Sequence, residues 1–143
     1  MDHETIPLHW INRLGFMTRK LLAARFKAAG QSVSPEEWAI LLFLWKYGNR
    51  SSSEIAEATI KDRTTVTRLL DAMVRKGLVR RGEDTQDRRR SVIEVTERGQ
   101  GLQHELVPIA QDLIKEACSG LTAEEIDITT RTLKKMAANL TEG

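Results

Sequence analysis

The chain has 143 residues, of which 41% are hydrophobic and 29% charged, with a formal net charge of +2. This is the composition of an ordinary globular protein of one domain or two small interdependent lobes, long enough to bury a core. No apolar run approaches the roughly 18 residues that a bilayer span needs, the acidic start Met1-Asp2-His3-Glu4 lacks a signal-type apolar region, and the single cysteine, Cys118, leaves no internal disulfide framework. A cytoplasmic protein without a membrane partner is expected.

The charge is unevenly placed. Lys61 to Arg90 holds ten Lys/Arg against five Asp/Glu, and Gly101 to Gly143 holds four against seven. A basic middle and an acidic end suggest a polyanion-binding module carried on something else, although a solvated charged face would give the same count.

In chain order, the first predicted helix runs from about Leu8 to Ala29. Trp10, Leu14, Met17, Leu21, Ala24 and Ala28 recur at spacings of four and three, an apolar stripe. Ile11, Leu22 and Phe26 widen it, so the helix should touch more than one neighbour. Ser34-Pro35-Glu36-Glu37 starts a second helix, with Ser as N-cap and Pro at the first turn. Its run Ala39 to Trp45 is nearly all apolar and predicts burial on most sides; Gly48-Asn49 stops it. Ser51 and Glu54 form a capping box for a short third helix, and Asp62 caps a fourth that ends at Gly77. Val66, Leu69, Leu70, Met73 and Val74 fill the i, i+3, i+4, i+7, i+8 row of that fourth helix.

Beyond Gly77 the period changes. Leu78 to Glu83 and Ser91 to Val95 read as strands around a polar tip, Asp84 to Arg90. Thr96 then caps a long helix to about Ser119, in which Pro108 should cause a kink or free a carbonyl. Thr122 and Glu125 open the last helix. The expected architecture is mainly α with a small β-hairpin wing, six helices in all. Its parts are an N-terminal helix (1–34), a helix-turn-helix with a wing (35–100) and C-terminal helices (101–143).

Two helices joined by a tight turn and followed at once by a hairpin is the order of a winged helix-turn-helix. With the fourth helix's core row facing inward, Thr64, Arg68, Asp71 and Arg75 lie on the opposite face, flanked by Thr65 and Thr67. Hydroxyls near a helix start can donate to phosphates or base edges. Arg68, one turn in, can reach guanine. Ser52 and Arg63, at the starts of the third and fourth helices, join them as candidate DNA contacts. Asp71 would repel phosphate, so it is expected to orient Arg68 or Arg75. An ordinary amphipathic helix has such a face too. The tip Arg88-Arg89-Arg90 argues against that bland reading, because three exposed arginines repel one another and bury nothing unless a phosphate backbone or minor groove receives them. In an extended tip Arg88 and Arg90 would point one way and Arg89 the other.

Asp84-x-x-Asp87-Arg88-Arg89 followed by Ile93-x-Val95-Thr96-x-x-Gly99 resembles the wing of the multiple-antibiotic-resistance regulator (MarR) family. Asp62-Arg63-Thr64-Thr65-Val66-Thr67-Arg68-Leu69 resembles its recognition helix, Lys76-Gly77-Leu78-Val79 its junction into the wing, and Leu121-Thr122-x-Glu124-Glu125 its last-helix start. Thr85 stands where the family often has Pro. The resemblance implies a homodimeric, sequence-specific DNA-binding regulator, usually a repressor. Its N- and C-terminal helices, through Leu14, Leu21, Leu113, Leu133 and Leu140, would form the dimer. Arg89 would enter the minor groove, and Asp87 would hold the loop through a salt bridge. The resemblance also implies a small-molecule effector, with Trp10, Met17, Trp38 and Trp45 as candidate pocket residues. Each of those four is otherwise plain core.

No Ser/His/Asp order, phosphate-cradling glycine loop or paired carboxylate points to an enzyme. His3, His9 and His104 show no metal-ligand spacing, so neither metal nor cofactor is expected. Cys118 reads as an inert thiol. The competing class is a winged-helix protein-interaction module without specific DNA binding.

Overall fold

A computed structural model of the chain describes residues 1–141; Glu142 and Gly143, the end of the expected C-terminal segment, lie outside the described residues. The chain divides into two compact units, Met1–Ala110 and Gln111 onward.

In the first unit a short 3-10 turn, His3–Thr5, precedes α1, Pro7–Ala28. Gly30 takes a positive φ of 78°, and the amide of Gln31 donates back to the Phe26 carbonyl at 2.9 Å, ending the helix. Of α1 only Leu22 and Phe26 are buried. Trp10, Ile11, Leu14, Met17 and Leu21 stay between 37% and 54% exposed, so most of the apolar stripe is only partly covered by the described residues. The second helix, α2, covers Pro35–Tyr47, and Ser34 and Glu37 cap it reciprocally. Burial is less complete than expected. Trp38, Ile40, Leu41 and Leu44 are in the core, whereas Leu42 and Tyr47 are exposed.

The helix-turn-helix consists of α3, Ser52–Thr59, and α4, Arg63–Arg75. Ser51 with Glu54 and then Asp62 serve as the caps. Val66, Leu70 and Met73 are fully buried and hold α4 to the core. The turn carries a feature that periodicity does not reveal. Ile60 adopts the left-handed region, φ 55° and ψ 49°, to cap α3, a conformation that costs a β-branched residue about 1–2 kcal/mol.

Strand β1, Val79–Glu83, pairs antiparallel with β2, Ser91–Val95, from Val79 opposite Val95 to Glu83 opposite Ser91. Arg50 adds a backbone bridge to Ile93, whose amide donates to the Arg50 carbonyl at 2.7 Å. The wing thus has a third backbone neighbour, a single residue too short to read as a strand. The helix expected from Thr96 is α5, Glu97–Gly101, running on through Leu102 in the α region to α6, Gln103–Ala117. Taken as one, they complete the six helices. Assigned helix continues through Pro108. At Gly99 a side chain would collide with the Leu78 carbonyl and Val95. Close approach of the wing exit to the strand start therefore explains the glycine.

The last helix, α7, Ala123–Thr141, starts with the expected Thr122–Glu125 box. None of its residues is buried, and Leu133 and Leu140 are exposed. Leu113, grouped with them in the sequence reading, is already buried in the single chain at 8% exposure. Among the described residues no helix is long and apolar enough to cross a membrane.

One ion pair joins the start of α2 to the end of α4. Glu37, 2% exposed, accepts from Lys76 Nζ at 2.7 and 3.0 Å and from the Ser34 amide at 2.9 Å. Lys76 also donates to the Ser32 carbonyl. Truncating Lys76 would leave a buried carboxylate without its counter-ion. Lys76→Ala should therefore lower stability by about 2 kcal/mol or more, measured by urea unfolding with Lys76→Arg as the conservative control.

Candidate nucleic-acid interface

The cap of α4 sets the geometry of its outer face. Asp62 Oδ1 accepts from the Thr65 amide at 2.7 Å. The Thr65 amide, with help from its hydroxyl and the nearby Arg68 charge, holds the Asp62 carboxyl below the usual carboxylate range. Thr65 is half-buried and occupied by this cap, which makes it a weaker candidate DNA contact than the sequence suggests. The Thr67 hydroxyl donates to the Arg63 carbonyl at 2.9 Å. Arg63, Thr64, Thr67, Arg68 and Arg75 are all exposed. Ser52, half-buried, is the first residue of α3 beside the Ser51 cap.

Pairing sorts the basic cluster. Arg80 donates to Glu94 at 2.8 Å. Arg81 donates to Asp71 at 2.7 Å, so Asp71 braces α4 against the wing and does not orient Arg68 or Arg75 as expected. The reason is tertiary: strand β1 brings Arg81 beside α4, and no helical spacing encodes that. By contrast, Arg63, Arg68, Arg75 and Arg88 form no ion pair or side-chain hydrogen bond among the described residues. Their guanidinium groups are free for an outside anion.

The wing tip is not extended. Asp84 Oδ1 accepts from the Gln86 amide at 2.9 Å and Asp87 Oδ1 from the Arg89 amide at 3.0 Å, two Asx turns in a row. They replace the simple alternation expected of the three arginines. Asp87 also lies 3.3 Å from Arg89 Nε, with the Arg89 side chain 92% exposed. Arg90 turns inward to Glu54 and Asp84. Its side chain thus stabilises the loop, and its partner Glu54 was marked by the sequence only as the capping-box acid of α3. The i,i+4 spacing of Arg50 and Glu54 and the Ser51–Glu54 cap were the local signals there.

The four candidate pocket residues do not line one cavity. Trp38, edge-to-face with Phe26 and Trp45, lines an open cavity of about 350 Å³ with Arg19, Glu36, Phe43, Thr59 and Lys61. Trp45 instead donates to the Gly99 carbonyl at 3.3 Å. The Trp10 indole donates to the Glu4 carbonyl at 2.8 Å. Met17 lies along a groove on α1 with His9, Asn12, Arg13 and Phe16. His3 and His9 stack edge-to-face, and Cys118 is half-buried. No cluster of three or more metal-ligating side chains occurs among the described residues.

Comparisons with known proteins bear on the family and the fold. Residues 33–91 match the MarR family profile. The chain is 29% identical over 107 residues to the HTH-type transcriptional regulator MhqR of Bacillus subtilis, covering 75% of this chain and 74% of that protein. It is 26% identical to the transcriptional repressor NicR of Pseudomonas putida, over 93% of this chain and 87% of that one. Its fold superposes on a mutant MarR from E. coli complexed with operator DNA, with a TM-score of 0.80, 25% identity, and coverage of 94% of this chain and 96% of the other. The overall fold is accordingly a winged helix-turn-helix.

The lowered Asp62 pKa has a pH consequence. A carboxyl whose folded value lies below its unfolded one stabilises the helix above the unfolded value, and that contribution is lost as pH falls through the folded value. The start of α4 should therefore loosen below about pH 4. Asp62→Asn, which still caps but does not titrate, should remove that dependence. Amide exchange at Thr65 across a pH series, corrected for intrinsic rates, is the measurement.

Proposed function

Because the chain belongs to the MarR family of transcription regulators, we propose that it binds a pseudo-palindromic DNA operator as a homodimer and represses transcription from it in the cytoplasm. The observation that carries this reading is the set of unpaired, exposed cations on α4 and the wing tip: Arg63, Arg68, Arg75 and Arg88. Thr64 and Arg68 would meet base edges in the major groove. Ser52, Arg63, Thr67, Arg75 and Arg88 would meet phosphates, which position the protein without reading sequence. Arg89 would enter the minor groove, with Asp87 aiming it. Thr65 would contribute chiefly through the cap.

The dimer reading rests on uncovered apolar surface. Leu14 and Leu21 on α1 and Leu133 and Leu140 on α7 are exposed, and large exposed apolar patches mark association sites. A second copy offers the same surface, as a two-fold interface requires. Recognition helices in successive major grooves would then stand about 34 Å apart.

An effector is proposed on chemical grounds. Arg19 and Lys61 outnumber the one acid, Glu36, and Trp38 and Phe43 supply aromatic walls to one cavity, which suits a small aromatic carboxylate. Thr59 and Lys61 flank the turn that leads to Asp62. A ligand there that favoured one position of the turn would shift the population away from DNA.

Binding of the dimer, first verified by sedimentation, should fall linearly with salt on a log–log plot, by a slope of about −0.9 per phosphate contact. Arg68→Ala should cost about 1–3 kcal/mol and relax base preference, while Arg89→Ala should weaken all sequences more evenly. A flat salt response, or equal affinity for unrelated duplexes, would sink this reading in favour of a protein-interaction module.

Titration with benzoate, followed by tryptophan emission, should saturate in the wild type. Arg19→Ala should weaken it about tenfold, the loss of one charge-assisted hydrogen bond. Equal titration of both proteins would remove the cavity from the proposal.

A further inference from the structure

Arg90 belongs to the wing by its backbone and to α3 by its side chain. Its amide donates to the Asp87 carbonyl at 3.0 Å, and its carbonyl accepts from the Asp84 amide at 2.9 Å, closing the tip. Its guanidinium leaves the wing and reaches Glu54, with Ser51 Oγ at 3.4 Å and Asp84 Oδ2 at 3.6 Å. Glu54 is correspondingly overcommitted. The same carboxylate accepts from the Ser51 amide at 3.0 Å to complete the α3 cap, and lies 3.7 Å from Arg50 Nε. Arg50 is also the residue whose backbone bridges Ile93 of β2. These charges surround a polar cleft of about 290 Å³ beneath the wing, lined also by Asn49, Glu83 and Gln86.

From this arrangement we infer that Glu54 is the positioning residue of the wing: by holding Arg90 it sets where Arg88 and Arg89 stand relative to α4. The inference rests on the DNA-binding reading for its effect on affinity. A hairpin of two five-residue strands is marginal by itself, and its tip extends beyond the Arg50–Ile93 bridge. A lone surface ion pair would contribute little, but here four charges share one network with a helix cap. Arg90 accordingly presents its charge to the protein and not to DNA.

Electrostatics alone makes the opposite prediction, which gives the test its force. Glu54→Gln keeps a side chain that can complete the capping box and removes a negative charge from a DNA-facing surface. If Glu54 only caps α3, affinity for the operator stays level or rises. If Glu54 holds the wing, affinity falls about threefold or more. Arg90→Gln placed on top of Glu54→Gln should then add no further loss. An added loss, with the salt slope reduced by about one, would mean that Arg90 touches phosphate directly and would overturn the assignment.

A second arm needs no DNA. Amide exchange at Asp84 and Arg90 should quicken in Glu54→Gln, while α4 amides and the thermal midpoint stay as in the wild type. Unchanged exchange at the tip overturns the inference, and so does faster exchange with unchanged affinity. If the wild type binds no duplex specifically, the functional proposal falls, and the exchange arm still decides whether Glu54 holds the wing.

Discussion

The pair of buried Glu37 and half-buried Lys76 is the link on which the placement of the recognition helix depends. Glu37 completes the cap of α2 and neutralises the lysine that ends α4. A carboxylate so deeply buried is tolerable only with its hydrogen bonds made and its charge answered. The start of one helix and the end of the other are thereby held together. Lys76 is followed directly by Gly77, whose positive φ of 76° turns the chain into β1. The direction of α4 and the departure of the wing thus share one fixed point.

From that point the structure partitions the arginines. Counting charges along Lys61 to Arg90 treats ten cations alike. In the fold, Arg80, Arg81 and Arg90 are answered by Glu94, Asp71 and Glu54, and Arg89 is met only by Asp87 on the exposed tip. Of that run, the arginines left free among the described residues lie along α4 and at Arg88. Pairing Arg81 and Arg90 braces hairpin to helices and pairing Arg80 joins the two strands, and leaving the outer arginines unpaired retains the field that attracts a polyanion. Stability and binding thus draw on different members of one basic run.

The two terminal helices present the opposite case, apolar surface without a partner. In α1 the buried side is narrow and the exposed one broad, and α7 buries no residue. Helices of this composition gain most of their stability from packing, not propensity. Their exposed rows are therefore the main physical reason to read the functional unit as two chains.

Much was legible because it is local. Ser34, Ser51, Asp62, Thr96 and Thr122 cap the helices their neighbours predict, since a cap is a contact across three residues. Three of the five core positions read for α4, Val66, Leu70 and Met73, are buried, while Leu69 is half-buried and Val74 is 38% exposed. That row and the two strands were read from periods of 3.6 and 2, which depend on backbone geometry alone. The MarR resemblance likewise lay in contiguous motifs. What joins distant segments was not legible: Lys76 to Glu37, Arg81 to Asp71, Arg90 to Glu54, and the choice of Trp38 over Trp10, Met17 and Trp45 for the cavity. A sequence states which residues carry charge or bulk, and spacing states which side of an element they occupy. Which carboxylate answers which arginine depends on how the elements pack, because charges meet within 4 Å only after the core has set the distances between them.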